Sequence, residues 1–356
     1  MNKTRWTAAA VAAAALLGLA AGGAAASTPA TGTEGVVAVG SGSVATAVSP
    51  DGTRAYAVAQ QSGGGVALSV VDTGTDAVVG RVDLGTDSWI TYLALSADGS
   101  RLYALHGHTL SVVDTAAPAL LGSYALPDQP RPTGWTPGGT EGLALSTDGS
   151  TLYLAQDGPE TYRQYGQGRV LTFDTGSRTF TGAVQLAATE LGALAVRPGG
   201  HDLYAGTVAG VVHLSTATAV PTVVGTVPGT ETANYYQLAF APNGSKLFAV
   251  NGTVNGKGAV IDPGTDTVTK NLALPASDLR APRVSADGTK LYIADNDLNN
   301  GGEVLVYNTT TGAALTRQTI ATDQDSLTGL ALGPDGHTAY LGGTAGSTGN
   351  LQIIDY

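Results

Sequence analysis

The sequence predicts an all-β fold assembled from seven copies of one unit of short antiparallel strands. Three observations predict it. A hairpin signal, Asp-Gly or a close variant, recurs seven times at intervals of 44 to 51 residues. Around each turn, an aromatic residue follows and a small residue precedes at fixed distances. The composition is that of turn-dense β structure, with 50 Gly and 16 Pro among 356 residues, and 43% apolar residues supply a core.

The turn residue falls at Asp51, Asp98, Asp148, Gly199, Asn243, Asp287 and Asp335. Five positions later stand Tyr56, Tyr103, Tyr153, Tyr204, Phe248, Tyr292 and Tyr340. Four positions earlier stand Ala47, Ala94, Ala144, Ala195, Ala239 and Ala331, with Arg283 breaking the rule in the sixth unit. Asp-Gly between apolar runs is a hairpin signal because such tight turns need residues that tolerate positive φ. A second set of apolar runs ends at Asp72, Asp114, Asp174, Ser215, Asp262, Asn308 and Asp355 and marks a second turn per unit. Each unit thus reads strand, Asp-Gly turn, aromatic strand, variable loop, strand, turn, strand. Four strands in about 45 residues make one blade of a β-propeller. A β-sandwich would need no strict period.

The repeat resembles that of the YVTN family of seven-bladed propellers, named for the strand that follows the turn. Here that strand reads Tyr56-Ala57-Val58-Ala59, Tyr153-Leu154-Ala155-Gln156 and Tyr292-Ile293-Ala294-Asp295, so the Tyr matches and the remainder departs. The resemblance covers essentially the whole of residues 35–356 and implies a fold, not a chemistry. The last unit ends one strand short. Gly35–Gly40 has the form of an outer strand and is expected to complete the seventh blade, closing the ring so that no sheet edge is left open.

Lys3 and Arg5, an apolar run from Ala8 to Ala21 and small residues at Ala24–Ala26 have the form of a secretory signal peptide. The run is too short to span a bilayer. The expected organisation is a signal peptide at 1–26, a short flexible segment at 27–34 and the propeller at 35–356. With 17 basic and 28 acidic residues, net −11, the surface repels phosphate backbones, which argues against a nucleic-acid partner. The absence of Cys excludes disulfides, thiolate metal sites and Cys nucleophiles. A secreted monomer with no membrane span is expected.

Loop lengths locate a candidate site. The stretch between the two turns of a unit is longest in the third, and so is the approach to that unit. The insertions Pro127–Thr140 and Gln156–Arg169 are therefore expected at one corner of one face, carrying Trp135, Arg163 and Tyr165. Seven positions before each turn residue, the inner strands should ring the mouth of the central channel. There Glu141, Tyr236 and Arg280 are more polar than a strand start requires. Arg283 must reach water or a carboxylate such as Asp278.

Metal signals are weaker. His106 and His108 flank a short turn, with no third His placed beside them. Asp295-Asn296-Asp297-Leu298-Asn299 begins like a calcium loop, but Asn300 stands at the glycine position and no Glu falls twelfth. Glu141-Gly142-Leu143-Ala144-Leu145 resembles a short segment of phytase-type esterase propellers. The favoured reading is a non-catalytic propeller binding an extracellular ligand, glycan or protein on its loop-rich face, through Glu141, Arg280, Tyr236, Trp135, Arg163 and Tyr165. The alternative is a lactonase-like hydrolase or lyase with its site at the channel mouth.

Overall fold

The computed structural model describes residues 35–86, 91–162, 164–231, 233–251, 256–275, 277–297 and 301–356. The expected signal peptide, the segment 27–34, Arg163 and Asn299 lie outside the described residues. Among these residues the chain is all β, with a single 3-10 turn at Thr316–Gln318 and no α-helix.

The Asp-Gly turns form as their chemistry dictates. In the first, the amide of Gly52 donates to Ser49 O at 2.9 Å, and Gly52 sits at φ +71°, which glycine adopts without strain. Asp51 Oδ1 accepts from the Thr53 amide at 3.0 Å and from the Ser49 hydroxyl at 2.6 Å. Asp98, Asp148 and Asp287 accept the same pair of bonds. The second turn is tied to the first by a threonine: Thr73, Thr175 and Thr309 donate to the carbonyls of Gly52, Gly149 and Gly288 at 2.6, 2.7 and 2.6 Å.

Each hairpin then sets its small residue opposite its aromatic. Ala47 pairs with Tyr56, Ala94 with Tyr103, Ala144 with Tyr153, Ala195 with Tyr204, Ala239 with Phe248 and Ala331 with Tyr340; in the sixth unit Arg283 takes the small residue's place opposite Tyr292. The small side chain leaves room for the ring, which packs into the gap between sheets. Tyr56, Leu68 and Val70 of one sheet meet Leu102, Ala104 and Val113 of the next in one buried cluster.

The result is a β-propeller of small antiparallel sheets. The repeat predicts seven separate four-stranded sheets; five are separate, beginning at Thr91, Thr140, Leu191, Gln237 and Asp278. Seven further strands form one sheet, and the cause is the strand Gly35–Val48. Its first half pairs with Thr348–Asp355, Gly35 opposite Ile353. A register shift between Ser41 and Val44 follows, and its second half pairs with Arg54–Gln60. Seven strands contribute to the wall of one central cavity, through residues such as Val44, Leu93, Leu143, Leu194, Leu238, Arg280 and Leu330. Backbones come close there: a Cβ on Gly192 would lie 2.5 Å from Tyr236 O, so only glycine fits. No described helix is long and apolar enough to cross a membrane.

Candidate ligand site at the channel mouth

Three carboxylates, two phenols and two amides line a depression at the mouth of the cavity: Glu141, Asp157 and Glu190 with Tyr92, Tyr236, Asn234 and Gln237. Strand ends place them. Glu141 lies at the start of Thr140–Leu145, Tyr92 in Thr91–Leu95, and Asp157 directly after Thr151–Gln156. Tyr92 donates its hydroxyl to Glu141 Oε2 at 3.0 Å, and Tyr236 donates to Glu190 Oε2 at 2.8 Å. The Leu191 amide donates to Asp157 Oδ1 at 2.7 Å. Glu141 and Asp157 converge beside Gly139, where an added Cβ would lie 3.2 Å from Glu141 Oε1 and 4.0 Å from Asp157 Oδ2.

Burial and mutual repulsion set the acidity of these groups. Burial raises the Glu141 carboxyl above its usual range, and the Tyr92 hydroxyl and the Arg280 charge only partly offset it. Burial pushes Asp157 up to about 7; the Leu191 amide opposes the rise, and the charges of Glu141, Glu190 and Glu160 add to it. Tyr236 is raised by burial and then by the carboxylate of Glu190, and Tyr92 by burial and then by Glu141.

The two insertions of the third unit meet as expected. Thr136 and Glu160 exchange backbone hydrogen bonds of 2.8 and 2.9 Å, and Glu160–Thr161 pairs with Gln164–Tyr165 as a small hairpin. Gln129 clamps both insertions: its amide nitrogen donates to Asp157 O at 2.7 Å, and its oxygen accepts from the Gly138 amide at 2.9 Å. Buried Arg169 donates to Asp128 O at 3.2 Å and to Pro127 O. The hairpin presents Tyr162 and Tyr165 to solvent, 82% and 54% exposed.

Among the six candidate residues, Glu141 and Tyr236 share the mouth. Arg280 lines the cavity wall, held by Asp278 at 2.8 and 2.9 Å, close enough for its charge to act on Glu141. Tyr165 belongs to the adjoining corner, while half-buried Trp135 accepts from Arg131 Nε through its carbonyl at 3.1 Å. Asp278, offered by the sequence as a partner for Arg283, is taken by Arg280 instead.

Asp157, Glu190 and Tyr92 escaped the sequence reading. Tyr92 and Glu190 stand one and two positions from the ring positions 91 and 192, and Asp157 follows the end of Thr151–Gln156, so only the local register brings them to the mouth. Asp157 had a signal: it opens the longest insertion.

The weak metal candidates do not assemble. His106 is buried with Nε2 2.9 Å from Ser111 Oγ, while His108 Nε2 faces Gly138 O at 2.9 Å. Asp295 and Asp297 lie within the strand Lys290–Asp297, in register with Glu303 and Gly301, and residues 298–300 of the calcium-like run lie outside the described residues. Among the described residues no group of three or more His, Asp or Glu is placed to hold a metal ion. Comparison with family models and with curated proteins finds no match.

Proposed function

We propose that the protein is an exported, non-catalytic binding module whose channel mouth takes a partner rich in hydroxyl or ammonium groups, such as a glycan. In this reading the chain is a YVTN-like propeller of seven blades. The seven-stranded sheet counts as two blades sharing Gly35–Val48, whose first half closes the ring. The seven hairpins with a matched aromatic position support that count. The export signal at residues 1–26 supports secretion.

One observation carries the binding reading. Asp157 joins two surfaces: its carboxylate belongs to the acidic mouth, and the chain leaving it builds the hairpin with exposed Tyr162 and Tyr165. A single ligand can thus donate to the mouth carboxylates while its apolar face stacks on tyrosine, the division of labour that gives large contact area with orientation. The test is a screen of the exported chain against immobilised glycans and basic peptides, repeated with Glu141→Gln and Tyr165→Ala. Binding that both substitutions weaken fits the reading; binding that neither alters places the site elsewhere.

Asp157 also favours a second reading. A carboxyl near 7, close to Glu141, is poised to give and take protons at neutral pH, as a general acid or base must be. Turnover of lactone or ester substrates that Asp157→Asn abolishes, with the fold intact, would select this hydrolase alternative.

A further inference from the structure

The geometry points to a small-oxyanion site inside the central cavity, at Arg283. Six of the seven inner strands carry Ala where the sixth unit carries this arginine. The register of Asp278–Val284 shifts between Arg280 and Arg283, and Ala281 sits at φ +45°, a left-handed conformation unusual for a residue with a side chain. Gln237 Oε1 steadies the bulge by accepting from the Ala281 amide at 3.3 Å. Bulges re-aim side chains. Here the bulge leaves both arginines lining the cavity although they are three positions apart.

The two differ in their company. Arg280 is held by Asp278. Arg283 has no carboxylate within ion-pair distance among the described residues, and Nη1 donates to its neighbour Pro282 O at 2.8 Å. Arg283 is exposed to solvent in the cavity, with enough protein around it that burial lowers its pKa and no nearby acid opposes the fall. A solvated cation that faces a narrow cavity without a counter-charge draws anions to it.

The rest of the wall suits one. Ser43 and Thr46 bring hydroxyls, and the Thr46 hydroxyl is buried with no hydrogen-bond partner, while the Thr328 hydroxyl is engaged by the backbone of Val44. With its oxygen engaged by Ala281, Gln237 has its NH2 left to donate. The planar fork of arginine matches a carboxylate or phosphate, and a cavity of about 180 Å3 limits the guest to a small one. This inference does not rest on the acidic mouth, whose chemistry is opposite.

The experiment measures melting temperature and calorimetric affinity of the full chain with inorganic phosphate and with acetate, against chloride at equal ionic strength. Wild type should show an added upward shift of a few degrees, and Arg283→Ala, which restores the residue of the other six units, should fold and lose it. Arg283→Lys keeps the charge without the fork and should bind roughly tenfold more weakly, about 1.4 kcal/mol. A phosphate response identifies a phosphoryl guest and an acetate response a carboxylate. Equal shifts in wild type and Arg283→Ala would overturn the site. So would a response lost in Glu141→Gln but kept in Arg283→Ala, because it would move the anion to the mouth.

Discussion

Tyr204 donates its hydroxyl to Asp266 Oδ1 at 2.7 Å across the gap between two sheets, while its ring stacks on His213 with centroids 4.6 Å apart. His213 Nδ1 lies 2.7 Å from the other oxygen of Asp266, so one carboxylate latches two side chains of the neighbouring sheet. Tyr292 makes a comparable reach to Tyr356, with ring centroids 5.2 Å apart. The repeated aromatic thus joins sheets as well as filling them.

Tyr204→Phe keeps the ring and removes the donor. Because the lost bond goes to a charged acceptor, the variant should be less stable by about 1.5–3 kcal/mol. Urea titration checks this, with an unchanged slope expected.

The stability of the protein should pass through a maximum in mildly acidic solution. Asp157, raised from 3.8 to about 7, takes up a proton on folding, so its contribution is full below its ordinary value and is lost as pH rises from about 4 to about 7. Hydrogen bonds from Ser96, Ser146 and Ser285, with those of the turn amides, hold Asp98, Asp148 and Asp287 at about 2. Their contribution is present above the ordinary value and is lost as pH falls from about 4 to about 2. Melting temperatures across this range should show both limbs, and Asp157→Asn should flatten the neutral one alone.

Deleting residues 35–41 should lower the melting temperature sharply. The segment buries Val37 and Val39 against Leu351 and Ile353. Each fully buried aliphatic side chain contributes about 1.5–3 kcal/mol, and the deletion also uncovers a strand edge. A melting temperature like that of the intact chain would show that the edge pairing contributes nothing.

Gly158→Ala should disable the hairpin while sparing the sheets. A Cβ there would lie 1.9 Å from Gly166 O, a backbone atom that cannot step aside. Once a mouth ligand is in hand, Trp135→Ala and Tyr165→Ala should each weaken it by ~1–3 kcal/mol. Gly158→Ala should weaken it at least as much, with a near-unchanged melting temperature.

Turns and aromatics were legible because each is fixed by residues a few positions apart: Asp51 bonds to Ser49 and Thr53, and Ala47 faces Tyr56. The corner of the third unit was legible from loop length, since both insertions leave the same sheet. The acidic mouth was only half legible. Glu141 and Tyr236 occupy the expected ring position, but Asp157 arrives from the far side of its strand and Glu190 from a connection. Nor could spacing tell which arginine Asp278 would choose, because a bulge at Ala281 decides it. The sharing of one strand between the first and last units depends on how a single bend at Ser41–Val44 is resolved.

That shared strand also imposes an order of events. Gly35 finds its partner only at Ile353, so the first described strand must wait, half unpaired, until the chain has been made as far as residue 353. Every other sheet closes from contiguous sequence and can form as it emerges. Pairing over so long a separation is slow because the loop entropy is lost before the contacts form. The chain should therefore refold in two phases, local sheets first and the joining of its ends last. A circular permutant that connects residues 356 and 35 and opens an exposed loop elsewhere would turn that last step into a local hairpin and should abolish the slow phase.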